Sequence, residues 1–520
     1  MKTKLIMLLL AGMALTTSCN KFLEENPGSN LSLISYYENE GQAEATVNAL
    51  YRRGAPIRYS STGSYLGSTA SINTILTGYF TNSYEGQERV SLFARELTRQ
   101  QNTNIISPTM NTIWDEGFKA INIANAGIKY IPEISMPNEA KKNTLLAEAK
   151  FFRAYNYFYL VKTFGALPLY TLPNENLNDP LYVERTDAAK IYELIEADLK
   201  SAVEVLPAKK FAENAHRITK YAAAMLLADV YLQQGKFADA ATAAKIVVNS
   251  PHKMTQNIDL EQSSAYNLLR KTDDLDEVIY AQEFDETINN SGARTATAFS
   301  SSAVSVFTTY SIFERVFGPT KQFLNVYDKD DLRIKPNQFY HWSYTNPING
   351  KKWTSEDAGI WYYVDEQALL TTGRGTKDWN FYRFPEALLI AAEGIAKSTG
   401  VSAEAAGYLA QVKARANTEG KSVAAFTTEL QGLSAENFVK ECWKERLREF
   451  PLEFKMWDDI LRTKMFPVIS TTEAGKVDFV PLIGAKNASG ATFKESDLLW
   501  PISPDEIQRN NKLTQNPGYQ

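Results

Sequence analysis

The sequence predicts a mainly α fold, in which about four helical hairpins of the tetratricopeptide type carry a loop-rich subdomain with short strands. Three observations lead there. Residues 147–170 place Ala147, Phe151, Ala154, Phe158 and Val161 at helical steps of four and three, and Phe152, Tyr155 and Tyr159 widen that stripe until little polar surface remains. A helix apolar on most sides must be covered on most sides, so it belongs at the centre of a large helical domain. Residues 217–251 carry Ala228, Tyr231, Gly235 and Ala240 at the spacing of a tetratricopeptide hairpin. There, small residues let antiparallel helices approach, Tyr231 fills the gap beside them and Gly235 makes the turn. Finally, residues 54–108, rich in Gly, Ser, Thr, Asn and Tyr, and residues 252–378 both lose helical period. Long irregular stretches in a compact domain tend to mark function, and their many rings argue against disorder.

In chain order, Lys2 and Lys4 precede the apolar run Leu5 to Leu15, and Thr16, Thr17 and Ser18 precede Cys19. This order describes a secretory leader over residues 1–18, too short to span a bilayer, ending at a cysteine placed for lipidation. Residues 19–38 are expected to be a lipid-anchored tether and residues 39–520 the folded domain. No later stretch is apolar for long enough to cross a membrane, so the mature chain is expected to be anchored and not to span.

The helical scaffold is expected over 39–53, 109–250 and 379–465, with a tail over 466–520. Ala43, Val47 and Leu50 face inward on the first helix, and Trp114 opens the second. Residues 186–206 form an amphipathic helix stopped by Pro207. A helix begun at 379 pairs with one over 402–417, and Pro451 breaks the helix of 438–463 after Phe450. Between the helices, residues 339–344 (FYHWSY) alternate as a strand, and Asn349-Gly350 signals a hairpin turn. Residues 327–333 (YDKDDLR) lack the spaced oxygens and terminal glutamate of a calcium loop and read as a solvated loop.

Composition narrows the function. A net charge of −5, with 22% charged and 44% apolar residues, describes a globular chain without a phosphate-binding surface, so no nucleic-acid partner is expected. Cys19 and Cys442 show no zinc spacing, and His216, His252 and His341 are scattered, so neither metal nor cofactor is expected. The hydrolase elbow, the phosphate-binding loop, the dinucleotide fingerprint and the zinc-protease helix are all missing. The strongest polar constellation is Glu441, Glu445, Glu449 and Glu453, at steps of four on one stripe. Paired carboxylates can hydrolyse glycosides. Lys444 and Arg448, three residues after Glu441 and Glu445, instead favour structural ion pairs. No catalytic residue is assigned, and a binding protein is expected.

Five separated blocks resemble the SusD/RagB family of nutrient-binding outer-membrane lipoproteins. Residues 20–27 (NKFLEENP) look like its mature N-terminus. Glu148, Arg153, Ala154, Tyr155, Phe158, Phe164, Gly165, Pro168 and Leu169 match its central signature. Tyr382, Arg383, Glu386, Leu389 and Glu393 match a later helix. Glu445, Arg446, Glu449, Glu453, Trp457, Asp459 and Arg462 match a charged block that departs at Phe454, where glycine is usual, and at Met456, where arginine is usual. Residues 499–519 resemble its terminal motif. The resemblance implies a lipid-anchored protein of the outer membrane, facing the cell surface. It would capture oligosaccharides and deliver them to a SusC-like TonB-dependent transporter. RagB-like members imply peptide cargo as an alternative. A pure helical-repeat scaffold for other proteins would leave the aromatic loops unexplained.

For a sugar ligand the two irregular regions are the expected binding surface, because C–H faces lie flat on rings and hydroxyls need amides or carboxylates at the rim. Tyr79, Tyr84, Trp342, Tyr344 and Trp361 are the expected rings, with Asn82 and Glu85 as hydrogen-bonding neighbours. Trp342 and Tyr344, two apart on the expected strand, should share a face.

Overall fold

The computed structural model describes residues 36–53, 69–175, 182–284, 298–307, 315–373 and 375–519. Its first helices are α1 (Glu40–Arg53), α2 (Thr69–Ile75), α3 (Arg89–Arg95), α4 (Thr103–Tyr130), α5 (Glu139–Phe164) and α6 (Ala188–Val205). They are followed by α7 (Lys220–Gln233), α8 (Phe237–Val248), α9 (Phe384–Thr399) and α10 (Ala403–Ala416). The last are α11 (Val423–Gln431), α12 (Ala435–Glu449), α13 (Met456–Thr463) and α14 (Pro504–Arg509), and three short unlabelled helices, Ala265–Lys271, Lys321–Leu324 and Glu366–Leu370, lie between α8 and α9.

Helix α5 is the centre. Asn138 caps it by accepting from the Lys141 amide, and Gly165, at φ 75°, ends it. Every residue from Phe151 to Phe164 is buried. Its buried charged side chains are paired. The Arg153 guanidinium forms a two-pronged pair with Asp198 of α6, at 2.7 and 2.8 Å, and also donates to Asn125 of α4. Lys162 meets Asp458 of α13 at 2.6 Å. Helices α4 and α6 flank α5, and the chain then winds on through α7, α8, α9 and α10, each packed on its predecessor. Ala228, Ala240, Ala43, Val47 and Leu50 are fully buried, as their spacing predicts.

Four boundaries differ from expectation. Helix α4 begins at Thr103, well before Trp114, and contains Pro108. A proline near the start removes one helical hydrogen bond, and Ser107 turns its hydroxyl back to the Thr103 carbonyl. Helices α2 and α3 lie in a stretch expected to be irregular, and α11, capped by Ser422, is a helix within the expected scaffold beyond those assigned from the sequence. Residues 379–383 are a strand, not the first turn of a helix: they pair antiparallel with residues 278–282, and α9 starts after them with Pro385 in its first turn. As expected, α12 ends at Pro451. The glycine-like position Phe454 is left-handed at φ 58°, held there by its ring stacked on Trp379 at 5.3 Å.

The strands are β1 (Phe80–Thr81), β2 (Leu167–Pro168), β3 (Arg185–Thr186), β4 (Val278–Gln282), β5 (Gly318–Pro319), β6 (Tyr340–Thr345), β7 (Lys352–Ile360), β8 (Trp379–Arg383), β9 (Met465–Ile469) and β10 (Val477–Pro481). Among the described residues they pair antiparallel in twos: β1 with β5, β2 with β3, β4 with β8, β6 with β7 and β9 with β10. Beneath β6 and β7 lies a second core of Phe299, Phe307, Trp353, Trp361, Val364 and Leu369, separate from the main helical core. The tail closes the end of α5. The Trp500 amide donates to the Thr163 carbonyl, while the Asn516 amide group donates to the carbonyls of Phe164 and Trp500 at 3.0 and 2.7 Å. Arg185 adds a further bond to the Phe164 carbonyl.

Candidate functional site

The glutamate stripe of α12 points into the protein. Glu449 lies 2.8 Å from Arg383, 2.5 Å from Arg415 and 3.0 Å from Arg333. Glu277 bridges Arg383 and Arg415 at 2.6 Å each, Glu453 takes Arg383 at 2.7 Å, and Glu445 takes Arg333 at 2.8 Å. The expected pairs of Glu441 with Lys444 and Glu445 with Arg448 are present at 3.2 and 3.7 Å. The principal partners of Glu445, Glu449 and Glu453, however, come from outside the helix. Burial pushes the Glu449 carboxyl up, but Arg415, Arg383 and Arg333 outweigh it and hold it at about 2. For Glu453 burial wins over Arg383, a cation already shared with Glu449 and Glu277, and the carboxyl rises to about 7. Asp331 and Arg333 belong to the same interior, joined at 2.7 Å. The expectation of a solvated loop at 327–333 is therefore corrected: Tyr327, Asp331, Leu332 and Arg333 are buried, and only Asp328 and Lys329 are exposed. A carboxylate sealed under guanidinium groups faces no space that a sugar could enter.

The seven residues expected to bind ligand divide sharply. Tyr79 is 1% exposed, stacked on Phe466 at 5.7 Å; its hydroxyl donates to the Pro467 carbonyl and accepts from the Ile469 amide. Trp361, 4% exposed, fills the second core beside His341 and beneath the Arg270 guanidinium. Both expectations are corrected: these rings are core posts. Asn82 is also buried. Its amide donates to Glu88 and Ser91 and its oxygen accepts from the Tyr84 amide, so it shapes the turn. Tyr84 is half-buried on that turn, and Glu85 binds Arg95 through two bonds of 2.9 and 2.7 Å.

Trp342 and Tyr344 are half-buried on β6, but they do not share a face. The register slips between His341, opposite Gly359, and Ser343, opposite Thr354. That bulge breaks the alternation. Trp342 packs on the main core, whereas Tyr344 joins His341 on the second core and stacks on Phe307 at 5.5 Å.

One residue that sequence reasoning missed joins these pieces. The Arg315 carbonyl accepts from the Ser83 amide at 2.8 Å, and its guanidinium donates to the Ala358 carbonyl on β7 at 2.9 Å. Arg315 thus clamps the Tyr84–Glu85 turn to the hairpin that carries Trp342 and Tyr344. Burial lowers its pKa, and Asp357, at 3.8 Å, only partly restores it. A single arginine before Val-Phe-Gly-Pro carried no periodic signal. The resulting loop face offers half-open rings anchored on rigid cores, with a carboxylate–guanidinium pair beside the turn. Such a surface can hold an apolar face and satisfy hydroxyls. Among the described residues no group of three or more His, Cys, Asp or Glu is arranged to hold a metal ion, and no helix is long and apolar enough to cross a membrane. Cys19 lies outside the described residues.

Comparison with known proteins gives a consistent picture. Residues 325–519 match the family described as the SusD family, and residues 21–232 match one described as starch-binding and associating with the outer membrane. SusD-like protein P2 of Formosa agariphila is 26% identical over 516 residues, spanning 96% of each chain. A SusD superfamily protein from Parabacteroides distasonis superposes with a TM-score of 0.79 at 25% identity, over 92% of this chain and 99% of that one. The fold is also that of surface glycan-binding protein A from Bacteroides thetaiotaomicron, solved with laminarihexaose, at a TM-score of 0.68 and 16% identity over 92% of this chain and 100% of that one.

Proposed function

We propose that this chain, which belongs to the SusD family, is a cell-surface glycan-binding protein that captures oligosaccharides and passes them to a SusC-like TonB-dependent transporter. In this reading a lipid on Cys19 holds the protein to the outer membrane, and residues 19–38 are the tether. Residues 54–108 and 252–378 form the ligand-binding region, borne by the helical scaffold. The observation that carries the reading is the loop face, where Arg315 links the Tyr84–Glu85 turn to the half-open rings of Trp342 and Tyr344. The bound neighbour with laminarihexaose supports the ligand class, and the matched family's association with the outer membrane supports the location. The reading is of binding and not catalysis, because the strongest carboxylate cluster is committed to buried arginines.

The test begins with a glycan array and a peptide array probed with the leaderless protein. Calorimetry with the best oligosaccharide then compares Trp342→Ala and Tyr344→Ala with wild type, after circular dichroism confirms folding. Loss of a central ring should cost about 2 kcal/mol, roughly thirtyfold in affinity. If both variants bind like wild type, the site is elsewhere; if only peptides bind, the cargo is wrong. In cells, Cys19→Ala should leave the membrane fraction, and detergent extraction of the intact protein should recover a β-barrel partner.

A further inference from the structure

A groove runs along one side of α4, remote in its lining from the loop face. Its deeper part is a cleft of about 510 Å³, walled by Trp114 and Phe118 of α4, by Tyr170 and Tyr182, and by Glu506 and Arg509 of α14. A second hollow of about 310 Å³ continues it past Asn122 and Ile123, which line both, to Tyr36 and Tyr37. Trp114, Phe118, Asn122 and Ala126 recur at steps of four, so one helical stripe floors the whole groove over about 18 Å.

At its ends the stripe is shared with the core, where Trp114 and Ala126 are buried, but between them Phe118 and Asn122 stand half-buried towards the groove. Phe118 and Tyr170 are half-buried and meet edge to face at 5.8 Å, and Tyr182 is 50% exposed. Polar groups rim these rings. Arg509 pairs with Glu506 and lies 3.9 Å from Asp115, while Lys119 adds a second cation. Glu116 holds Lys119 at 2.8 Å, so three carboxylates face two cations on this rim. A polyanion would gain nothing here, whereas a neutral, hydroxyl-rich chain finds donors and acceptors on both sides of an aromatic wall. The volume lies within the range of sites that enclose small ligands, and the length suits an extended one.

We infer that this groove is a second glycan site, taking a neutral oligosaccharide lengthwise along α4. The inference rests on the reading of the chain as a glycan-binding protein, but it concerns a different surface. The test uses the full-length leaderless protein, the neutral oligosaccharide series that scores best on the glycan array, and calorimetry with wild type, Tyr182→Ala, Arg509→Ala and the loop variant Tyr344→Ala. Tyr182 and Arg509 are exposed enough that truncation leaves the fold intact. Wild type should bind at two sites, and each groove variant should weaken one of them by about tenfold or abolish it while sparing the other. Single-site binding that Tyr344→Ala removes and both groove variants leave unchanged overturns the second site and keeps the first. Binding of peptides alone, or of no glycan, overturns both.

Discussion

Around Glu449 the interior is charged, with three arginines and their carboxylates locked between α12, α10, β4 and β8. Around His341, under the loops, the interior is mainly aromatic, with one guanidinium, that of Arg270, laid over Trp361. There Phe299, Trp353 and Trp361 enclose the imidazole, whose pKa burial pushes down to about 4. The charged interior is directional: each guanidinium fixes the angle and distance of several segments at once. The aromatic interior is shape-based and tolerates a bulge in the strand above it. Rigid registration of the helices and an adaptable floor beneath the binding face therefore come from two different chemistries.

Removing the charged centre should have the largest effect. Glu449→Ala leaves Arg333, Arg383 and Arg415 buried without their common partner, which should cost about 3–5 kcal/mol in urea unfolding or prevent folding outright. A loss below about 1 kcal/mol would mean that the network is dispensable. Crowding the aromatic centre should cost less. At Gly359 an added methyl would collide with the Ala298 carbonyl and the His341 ring, so Gly359→Ala should destabilise by about 1–3 kcal/mol. The loss should appear first in tryptophan fluorescence from Trp353 and Trp361, ahead of the helical circular dichroism signal.

The smallest effect separates the two regions by pH. Folded Glu453 keeps its proton up to about pH 7, whereas the unfolded chain releases it near 4.5. The native state binds more protons between those values, so this contribution to stability falls as pH rises from 4.5 to 7. His341 runs the other way. The unfolded chain takes up a proton near 6.5 and the folded one only near 4, so its contribution is lost as pH falls through that window. Between about pH 4.5 and 6.5 the two trends oppose each other, so Glu453→Gln should leave the urea midpoint rising with pH there and His341→Phe should leave it falling. Identical profiles for both variants and wild type would refute the contrast.

The legible part of this protein was its packing rhythm. Helix α5 announced itself because nearly every position is apolar or aromatic, and α7–α8 because alanines and Tyr231 recur at fixed steps. The start of α4 was hidden by Thr, Asn and Ser around Pro108, residues that cap helices as often as they end them. At the site, ring count was readable but ring direction was not. Tyr79 and Trp361 carry the same chemistry as Tyr84 and Trp342, and only long-range partners such as Phe466 and Arg270 turn the first pair inward. The bulge at His341–Ser343 lies in pairing with β7, which no local alternation encodes.

The closure at the end of α5 has a consequence for the order of events in making the protein. Chains are synthesised from the N-terminus, and early segments begin to collapse before late ones exist. The Phe164 carbonyl has an early partner in Arg185, but the Thr163 carbonyl finds its partner only in Trp500, and Asn516, 352 positions after Phe164, completes the closure. Until residues 500–516 have emerged from the ribosome, the bonds that Trp500 and Asn516 give to the last turn of the central helix cannot form. A nascent chain halted before that point lacks this closure, and it is the arrival of residues 500–516 that fastens the end of the middle helix.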